Sequence, residues 1–135
     1  MRSYNPLAPA TQRWISTPVV ALDAAVATAL AGLGVGHTLL TPLFARRQPR
    51  LQQLWFAGSG LALVFLALLN LARVQTDDRT VRRLCQLANP LGTLYLALLV
   101  RDLAEPQAYA ALGLSAALTG LSLRPDRAAA SLQDG

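Results

Sequence analysis

The charged residues of this chain are distributed so unevenly that long stretches contain none. No Asp, Glu or Arg occurs between positions 24 and 45 or between positions 51 and 72. Two further charge-free stretches run from position 84 to 100 and from position 106 to 123. A helix that crosses a bilayer needs about 20 mainly apolar residues, within a range of about 17–25. Each of the four stretches is therefore long enough to span a membrane once.

The composition of these stretches argues against a soluble helical bundle. A surface helix of a soluble protein keeps its apolar residues on one face and its charges on the other. Residues 61–69 are apolar on every face, and only 14% of the 135 residues are charged, against roughly 25% in soluble domains. We therefore predict an all-α, polytopic membrane protein with four transmembrane helices in an up-down bundle.

Prolines and polar segments between the charge-free stretches set the predicted bounds of the spans. We expect one domain over residues 1–135, with spans at about 19–44, 52–72, 84–100 and 106–123. The polar termini, 1–16 and 124–135, are expected to lie outside the bundle. The first span is too long for the apolar region of a signal peptide, which has about 7–15 residues. We therefore expect it to remain as an uncleaved helix.

The distribution of arginine, which supplies all twelve basic residues, predicts the orientation. Four spans place both termini and the second loop on one side, with Arg2, Arg13, Arg73, Arg79, Arg82, Arg83, Arg124 and Arg127. The other side has Arg46, Arg47, Arg50 and Arg101. Because cytoplasmic segments carry the excess of basic residues, both termini are predicted to be cytoplasmic. The basic residues form no face interleaved with aromatic residues, so no nucleic-acid partner is expected.

The first span contains a line of small residues at four-residue spacing, formed by Ala24, Thr28, Gly32 and Gly36. Helices in lipid associate through close backbone contact, which small residues allow. We predict that this line is a helix-packing face, either within the chain or in a homodimer, where Gly32 does not tolerate a larger side chain. The segment Gly58-Ser-Gly60 in the second span is expected to let that helix approach the first near His37.

A second stripe on the same helix is formed by residues at three- and four-residue steps: Asp23, Ala27, Leu30, Gly34, His37 and Thr41. Asp23 and His37 are 14 residues apart, about 21 Å along a helix, so each needs its own partner. Ionisable residues inside a membrane are functional-site hypotheses by default. Asp23 is either an interfacial carboxylate that reaches water or pairs with Arg13 or Arg73, or a proton- or substrate-linked group. His37 is a hydrogen-bonded structural residue, the lining of an outward-facing pocket, or a haem or metal ligand completed by another chain.

Other polar residues fall at the depths of Asp23 and His37. Asn70 and Asn89 lie at the level of Asp23, where they either join it in one polar cluster or link neighbouring helices. Ser59, Arg101 and Glu105 lie at the level of His37. The predicted polar or ligand pocket comprises His37, Ser59, Arg101, Glu105, Asp23, Asn70 and Asn89.

Two motifs in the first half of the chain carry a resemblance to a known family. Gly34-Val-Gly-His37 is followed by Thr41-Pro-Leu-Phe44 and then by the glycine-bearing Trp55-Phe-Ala-Gly-Ser-Gly60. This pattern resembles the bacterial DoxX-like group of small four-helix membrane proteins. The resemblance implies a four-span fold in the bacterial inner membrane. Some members of that group are linked to quinone or thiol redox systems.

The sequence offers no recognisable pair of a nucleophile and a general base. The chain has one Cys and one His, which are too few for a metal site built from these residues within one chain. We therefore expect no enzyme and no metal. The predicted function is a structural or accessory subunit of a larger membrane complex or homo-oligomer, or a binder of a hydrophobic ligand, quinone or lipid, between the helices. The alternative is a small proton-linked transporter or efflux unit that uses Asp23, since small multidrug exporters have a carboxylate in the first of four helices.

Overall fold

The computed structural model describes residues 18–76, 78–103 and 105–124, without the side chain of Phe44. These residues form four helices: α1 (Pro18–Phe44), α2 (Arg50–Gln75), α3 (Arg79–Asp102) and α4 (Pro106–Ser122). No strand occurs among them, so the all-α prediction is confirmed for this part of the chain. The predicted polar termini, 1–16 and the part of 124–135 beyond Arg124, lie outside the described residues.

The helices cover the charge-free stretches except for the last residue of the first and the fourth stretch, and α2 and α3 extend beyond theirs at both ends. These extensions contain arginines such as Arg50, Arg73 and Arg101. Arginine has high helix propensity, and its long side chain carries the charge away from the apolar surface. The first turn of α3 is capped by Asp78, whose carboxylate accepts a hydrogen bond from the Thr80 backbone N–H at 2.7 Å.

The four helices form an up-down bundle in which each helix packs against the next one in the chain, and α4 packs against α1. The α1–α2 contact is the most extensive and the α3–α4 contact comes second. Neighbouring helices are antiparallel, since α1 meets α2 both at Asp23 with Arg73 and at Thr38 with Ala57. The centre of the bundle is filled by Ala27, Leu30, Ala67 and Leu118.

The closest approach of two helices occurs where α1 crosses α2 at Gly34 and Gly60. A Cβ atom on Gly34 would lie 2.6 Å from the Gly60 carbonyl oxygen, and one on Gly60 would lie 2.7 Å from the Gly34 carbonyl oxygen. The Thr38 hydroxyl, one turn further along α1, donates to the Gly34 carbonyl oxygen at 2.9 Å and lies 3.3 Å from the Ala57 carbonyl oxygen of α2. Only glycine allows the two backbones to touch in this way.

Within the described residues, the predicted packing face of α1 does not pack against another helix at Gly32 or Gly36, and its homodimer alternative stays a prediction; in α2 it is Gly60, and not Gly58, of the predicted Gly58-Ser-Gly60 segment that approaches α1. A Cβ atom on Gly32, Gly36 or Gly58 would meet nothing within 4 Å, and Thr28 is exposed, with its hydroxyl donating to its own helix. Gly32 lies two residues from Gly34, which places the two on opposite sides of a helix. The second stripe is the inward face instead: His37 is half-buried, and the buried members are Asp23, Ala27, Leu30, Gly34 and Thr41.

Two of the helices are long and apolar enough to cross a membrane. The segments Pro18–Leu43 and Arg50–Gln75 each have 26 residues, which corresponds to a helix of about 39 Å. Few of their residues are buried, and the exposed ones include Leu39, which is 69% exposed, and Phe65, which is 67% exposed. By length and composition, α1 and α2 thus meet the requirements of transmembrane helices.

Candidate functional site

Asp23 is paired with an arginine on the neighbouring helix. The Arg73 Nη2 donates to both carboxylate oxygens of Asp23, at 2.7 Å each, and Asp23 is only 6% exposed. The same Nη2 lies 3.3 Å from the Asn70 Oδ1. Of the two partners expected for this carboxylate, the structure places Arg73 against it, while Arg13 lies outside the described residues.

Asn70 and Asn89 form a reciprocal amide pair, and both are fully buried. The Asn70 Nδ2 donates to the Asn89 Oδ1 at 2.7 Å, and the Asn89 Nδ2 donates back to the Asn70 Oδ1 at 3.0 Å. The remaining amide hydrogens go to carbonyl oxygens, that of Leu66 from Asn70 at 2.9 Å and that of Leu118 from Asn89 at 3.2 Å. The side-chain donors of both residues are therefore satisfied.

These contacts connect all four helices near one end of the bundle. We call the set formed by Asp23, Asn70, Arg73, Asn89 and the Leu118 carbonyl the four-helix network. Its hydrogen bonds run from α1 through α2 and α3 to α4. The Arg73 Nε is buried without a hydrogen-bond partner in the described residues. Because the carboxylate of Asp23 and both side-chain amides bind partners inside the network, these contacts link the helices to one another.

Beyond the network, a cleft of about 890 Å³ lies between the first half of α2 and the second half of α3. It closes at Gly92, where a Cβ atom would lie 3.1 Å from the Leu66 Cδ2. Trp55, which is 73% exposed, and Tyr95 lie along its rim. All four helices contribute to the mainly apolar walls, which include Leu33, Ala62, Leu63, Leu96, Leu99 and Ala111. Ligand pockets have volumes of about 300–1,000 Å³, so the cleft is large enough for one lipid-like molecule.

His37 and Ser59 form a hydrogen-bonded pair that lines this cleft. The His37 Nε2 lies 3.2 Å from the Ser59 Oγ, and that hydroxyl donates to the Phe56 carbonyl oxygen at 2.7 Å. Because the hydroxyl has a single proton, which the shorter contact uses, we assign the His37 Nε2 as the donor to Ser59. The His37 Nδ1 is then an acceptor without a partner in the described residues. The pair thus offers a hydrogen-bond acceptor to a molecule in the cleft.

The remaining polar lining lies at the mouth of the cleft. It consists of Gln52, Gln107 and the exposed Glu105, and no Arg from the described part of the chain lines the cleft. A carboxylate at the mouth disfavours an anionic head group, and amide groups bind a neutral one well. Among the described residues, the charged lining of the cleft is thus the single carboxylate of Glu105.

Of the seven predicted pocket residues, three line the cleft, three belong to the four-helix network and one belongs to neither. His37, Ser59 and Glu105 line the cleft, whereas Asp23, Asn70 and Asn89 belong to the four-helix network. Arg101 is exposed and lies in neither. Gln52 and Gln107 were not predicted from the sequence, although glutamines in the first turns of two apolar helices are a usable signal for the polar rim of a pocket.

In comparisons with known proteins, the chain matches no protein-family model, no curated protein and no solved structure. The resemblance to DoxX-like proteins therefore stays a prediction. The function is accordingly inferred from the geometry of the cleft.

Proposed function

We propose that this chain is a small bacterial inner-membrane protein whose four helices all span the bilayer and hold a hydrophobic ligand in the cleft. The charge-free stretches in α3 and α4, 84–100 and 106–123, reach the lower limit of about 17 residues for a span. On α3, a stripe of exposed leucines faces outward, formed by Leu87, Leu91, Leu94 and Leu98. Lipid chains can cover such an apolar stripe without the unfavourable free energy of exposing it to water. With four spans, the arginine distribution places both termini in the cytoplasm.

The cleft is the observation that carries the proposal. It is mainly apolar, it lies between two helices with exposed apolar side chains, and its rim residues Trp55 and Tyr95 are exposed. A long-chain molecule dissolved in the bilayer reaches such a site sideways, without crossing water. The apolar chain then replaces lipid contacts along α2 and α3.

The polar residues of the cleft favour a quinone over a phospholipid. An uncharged ring with carbonyl or hydroxyl groups is compatible with Glu105 at the mouth, whereas a phosphate is repelled by it. The Gln52 and Gln107 amides can donate to a quinone carbonyl, and the His37 Nδ1 can accept from a quinol hydroxyl. The ligand class is therefore an isoprenoid quinone or another neutral lipid of similar shape.

A protein of this kind acts as an accessory subunit that holds a quinone-like molecule for a larger membrane complex. The alternative of a proton-linked transporter requires the Asp23 carboxylate to be released during each cycle. Both Asp23 oxygens are held by Arg73, and the pair belongs to the four-helix network. The geometry therefore favours a ligand-binding subunit over a transporter.

The test compares two glycine-to-leucine variants in lipid nanodiscs, with a short-tail ubiquinone analogue as the probe. Gly58 lines the cleft, and a Cβ atom there would meet nothing within 4 Å, so Gly58→Leu puts its side chain into the cleft. Gly120 on α4 is equally open but does not line the cleft, so Gly120→Leu is the matched control.

We expect Gly58→Leu to weaken binding of the analogue about ten-fold, which corresponds to about 1.4 kcal/mol, and Gly120→Leu to leave it unchanged. Competition by diacylglycerol, but not by the unlabelled quinone, would assign the cleft to a neutral lipid. Equal binding of the analogue by both variants and the parent protein would overturn the proposal.

A further inference from the structure

A second, smaller groove of about 330 Å³ lies between α1 and α2 at the end where the two helices are connected. Its walls include Thr38, Pro42, Leu54 and Ala57, and Arg50 is the charged residue that lines it. The Thr38 and Thr41 hydroxyls donate to backbone carbonyl oxygens, as does the amide of Gln53, which also lines the groove, so the rest of the wall is mainly apolar. The groove thus combines an apolar trough with one guanidinium group.

Two more arginines lie in the turn beside this groove. Arg46, Arg47 and Arg50 fall within five consecutive positions and are all exposed. None of the three side chains forms a hydrogen bond or an ion pair within residues 18–76, 78–103 and 105–124. The fold therefore does not use these charges, although three like charges held so close together repel one another.

The turn that carries the arginines is fixed by its own hydrogen bonds. The Gln48 backbone N–H donates to the Ala45 carbonyl oxygen at 2.9 Å, and the Gln53 side-chain amide donates to the Gln48 carbonyl oxygen at 2.9 Å. Ala45 is in turn tied to α1, since its N–H donates to the Thr41 carbonyl oxygen at 2.9 Å. The backbone under the arginines is thus preorganised, which lowers the entropy that an anion must overcome on binding.

We propose that Arg50, assisted by Arg46 and Arg47, binds the phosphate of an anionic phospholipid whose acyl chain lies in the groove. Guanidinium groups bind phosphate oxygens through paired, charge-assisted hydrogen bonds. The apolar groove beside Arg50 can hold an acyl chain. A free phosphate ion has no apolar part that would occupy this groove, so the groove favours a phospholipid. The proposal rests on the proposed membrane placement of α1 and α2, but not on the quinone. The cleft and the groove share Leu54, yet the cleft has Glu105 at its mouth where the groove has Arg50.

The test uses the full chain in phosphatidylcholine nanodiscs that contain a small fraction of phosphatidylglycerol, with retained lipid counted by native mass spectrometry. Arg50→Gln removes the guanidinium from the groove. Arg101→Gln is the matched control, because Arg101 lies at the same end of the bundle, is exposed and does not line the groove. We expect Arg50→Gln to weaken phosphatidylglycerol retention about five-fold, the change that one surface cation makes against anionic lipid. Arg101→Gln is expected to change it less than two-fold.

Three results would overturn the proposal. Equal losses in the two variants would show a nonspecific charge effect, and equal retention of both lipids by the parent protein would show no anion site. Displacement of phosphatidylglycerol by millimolar inorganic phosphate would assign the arginines to a free anion. The Gly58→Leu variant separates this proposal from the previous one, since it is expected to lose the quinone analogue and keep phosphatidylglycerol. A chain that does not insert into the bilayer would fail to retain either molecule.

Discussion

Gly34 and Gly60 bring the backbones of α1 and α2 into direct contact, because a Cβ atom on Gly34 would lie 2.6 Å from the Gly60 carbonyl oxygen. In lipid, where no hydrophobic effect drives helices together, such contact supplies much of the packing energy. The position of this pair, and not the longer line of small residues on α1, sets the distance between the two helices.

Replacing Gly34 with Ala is therefore expected to force α1 and α2 apart. Overpacking of this kind lowers the free energy of unfolding by about 1–3 kcal/mol. Thermal unfolding in detergent, followed by circular dichroism, measures the loss. Gly32→Ala is the control, because a Cβ atom there meets nothing within 4 Å, and we expect it to be neutral or slightly stabilising. Equal midpoints for the two variants would contradict the assignment of the packing face.

The buried amide pair gives a prediction about coupling. Asn89→Leu leaves the Asn70 amide without its partner, and Asn70→Leu does the same to Asn89. Hydrogen bonds between membrane helices contribute about 0.6 kcal/mol on average and up to about 1.7 kcal/mol. We expect each single change to lower the free energy of unfolding within that range, and the double change to cost less than the sum. A double-mutant cycle in bicelles measures this, and additive losses would show that the pair is not coupled.

Asp23 is expected to affect stability and not transport. Asp23→Asn leaves the Arg73 guanidinium with no carboxylate, and such a broken pair costs up to about 3 kcal/mol where the remaining charge can still reach water. Adding Arg73→Gln is expected to restore part of the loss, because no unpaired charge then remains. Proton flux into liposomes that contain the parent protein is expected to equal that of empty liposomes. A substrate-dependent flux that Asp23→Asn abolishes would support the transporter instead.

The helix bounds could be predicted from sequence because a long stretch without charges is typical of an apolar helix and of little else. The expected span 19–44 matches α1, which runs over Pro18–Phe44, to within one residue at its start. The expected span 84–100 falls short of α3, which begins at Arg79 and ends at Asp102. The hydropathy of the sequence shows only where the apolar residues end. The helix continues beyond that point, because the polar residues that follow also favour helical backbone hydrogen bonds.

The sequence was less informative about which side of a helix faces which neighbour. Both stripes on α1 include glycines, and four-residue spacing alone does not say whether Gly32 or Gly34 meets α2. The polar stripe was the better indicator, because Asp23 can be buried only against a partner such as Arg73. The predicted depth of a residue along the bundle also does not show which residues line a pocket. Arg101 and Glu105 were predicted at the same level, but only Glu105 lines the cleft.

Topology is predicted from the arginine distribution and can be measured by cysteine labelling. Cys85 is the only cysteine and is buried, so a Cys85→Ser background is suitable for single-cysteine variants. In bacterial spheroplasts, an impermeant maleimide is expected to label Gln48→Cys at once and Asp78→Cys only after permeabilisation. Labelling of Asp78→Cys in intact spheroplasts would be incompatible with four spans and cytoplasmic termini.

His37 is expected to contribute to ligand binding more than to stability. His37→Leu removes the acceptor in the cleft and is expected to weaken binding of a short-tail ubiquinol about five- to ten-fold, the value of one hydrogen bond. His37→Gln keeps a donor and an acceptor, so we expect it to retain part of the affinity. Unchanged ubiquinol binding in His37→Leu, together with a lower unfolding temperature, would make His37 a purely structural residue.

The two most extensive contacts of the bundle are within helical hairpins, α1 with α2 and α3 with α4. In the proposed four-span arrangement, the α1–α2 hairpin can form before α3 and α4 have been synthesised. The contact between the two hairpins is less extensive than the contacts within them. Asn70 and Asn89 link α2 to α3 by hydrogen bonds, and the cleft leaves part of this seam unfilled. A molecule in the cleft would complete that seam, so the bound ligand would serve as the final component in the assembly of the protein.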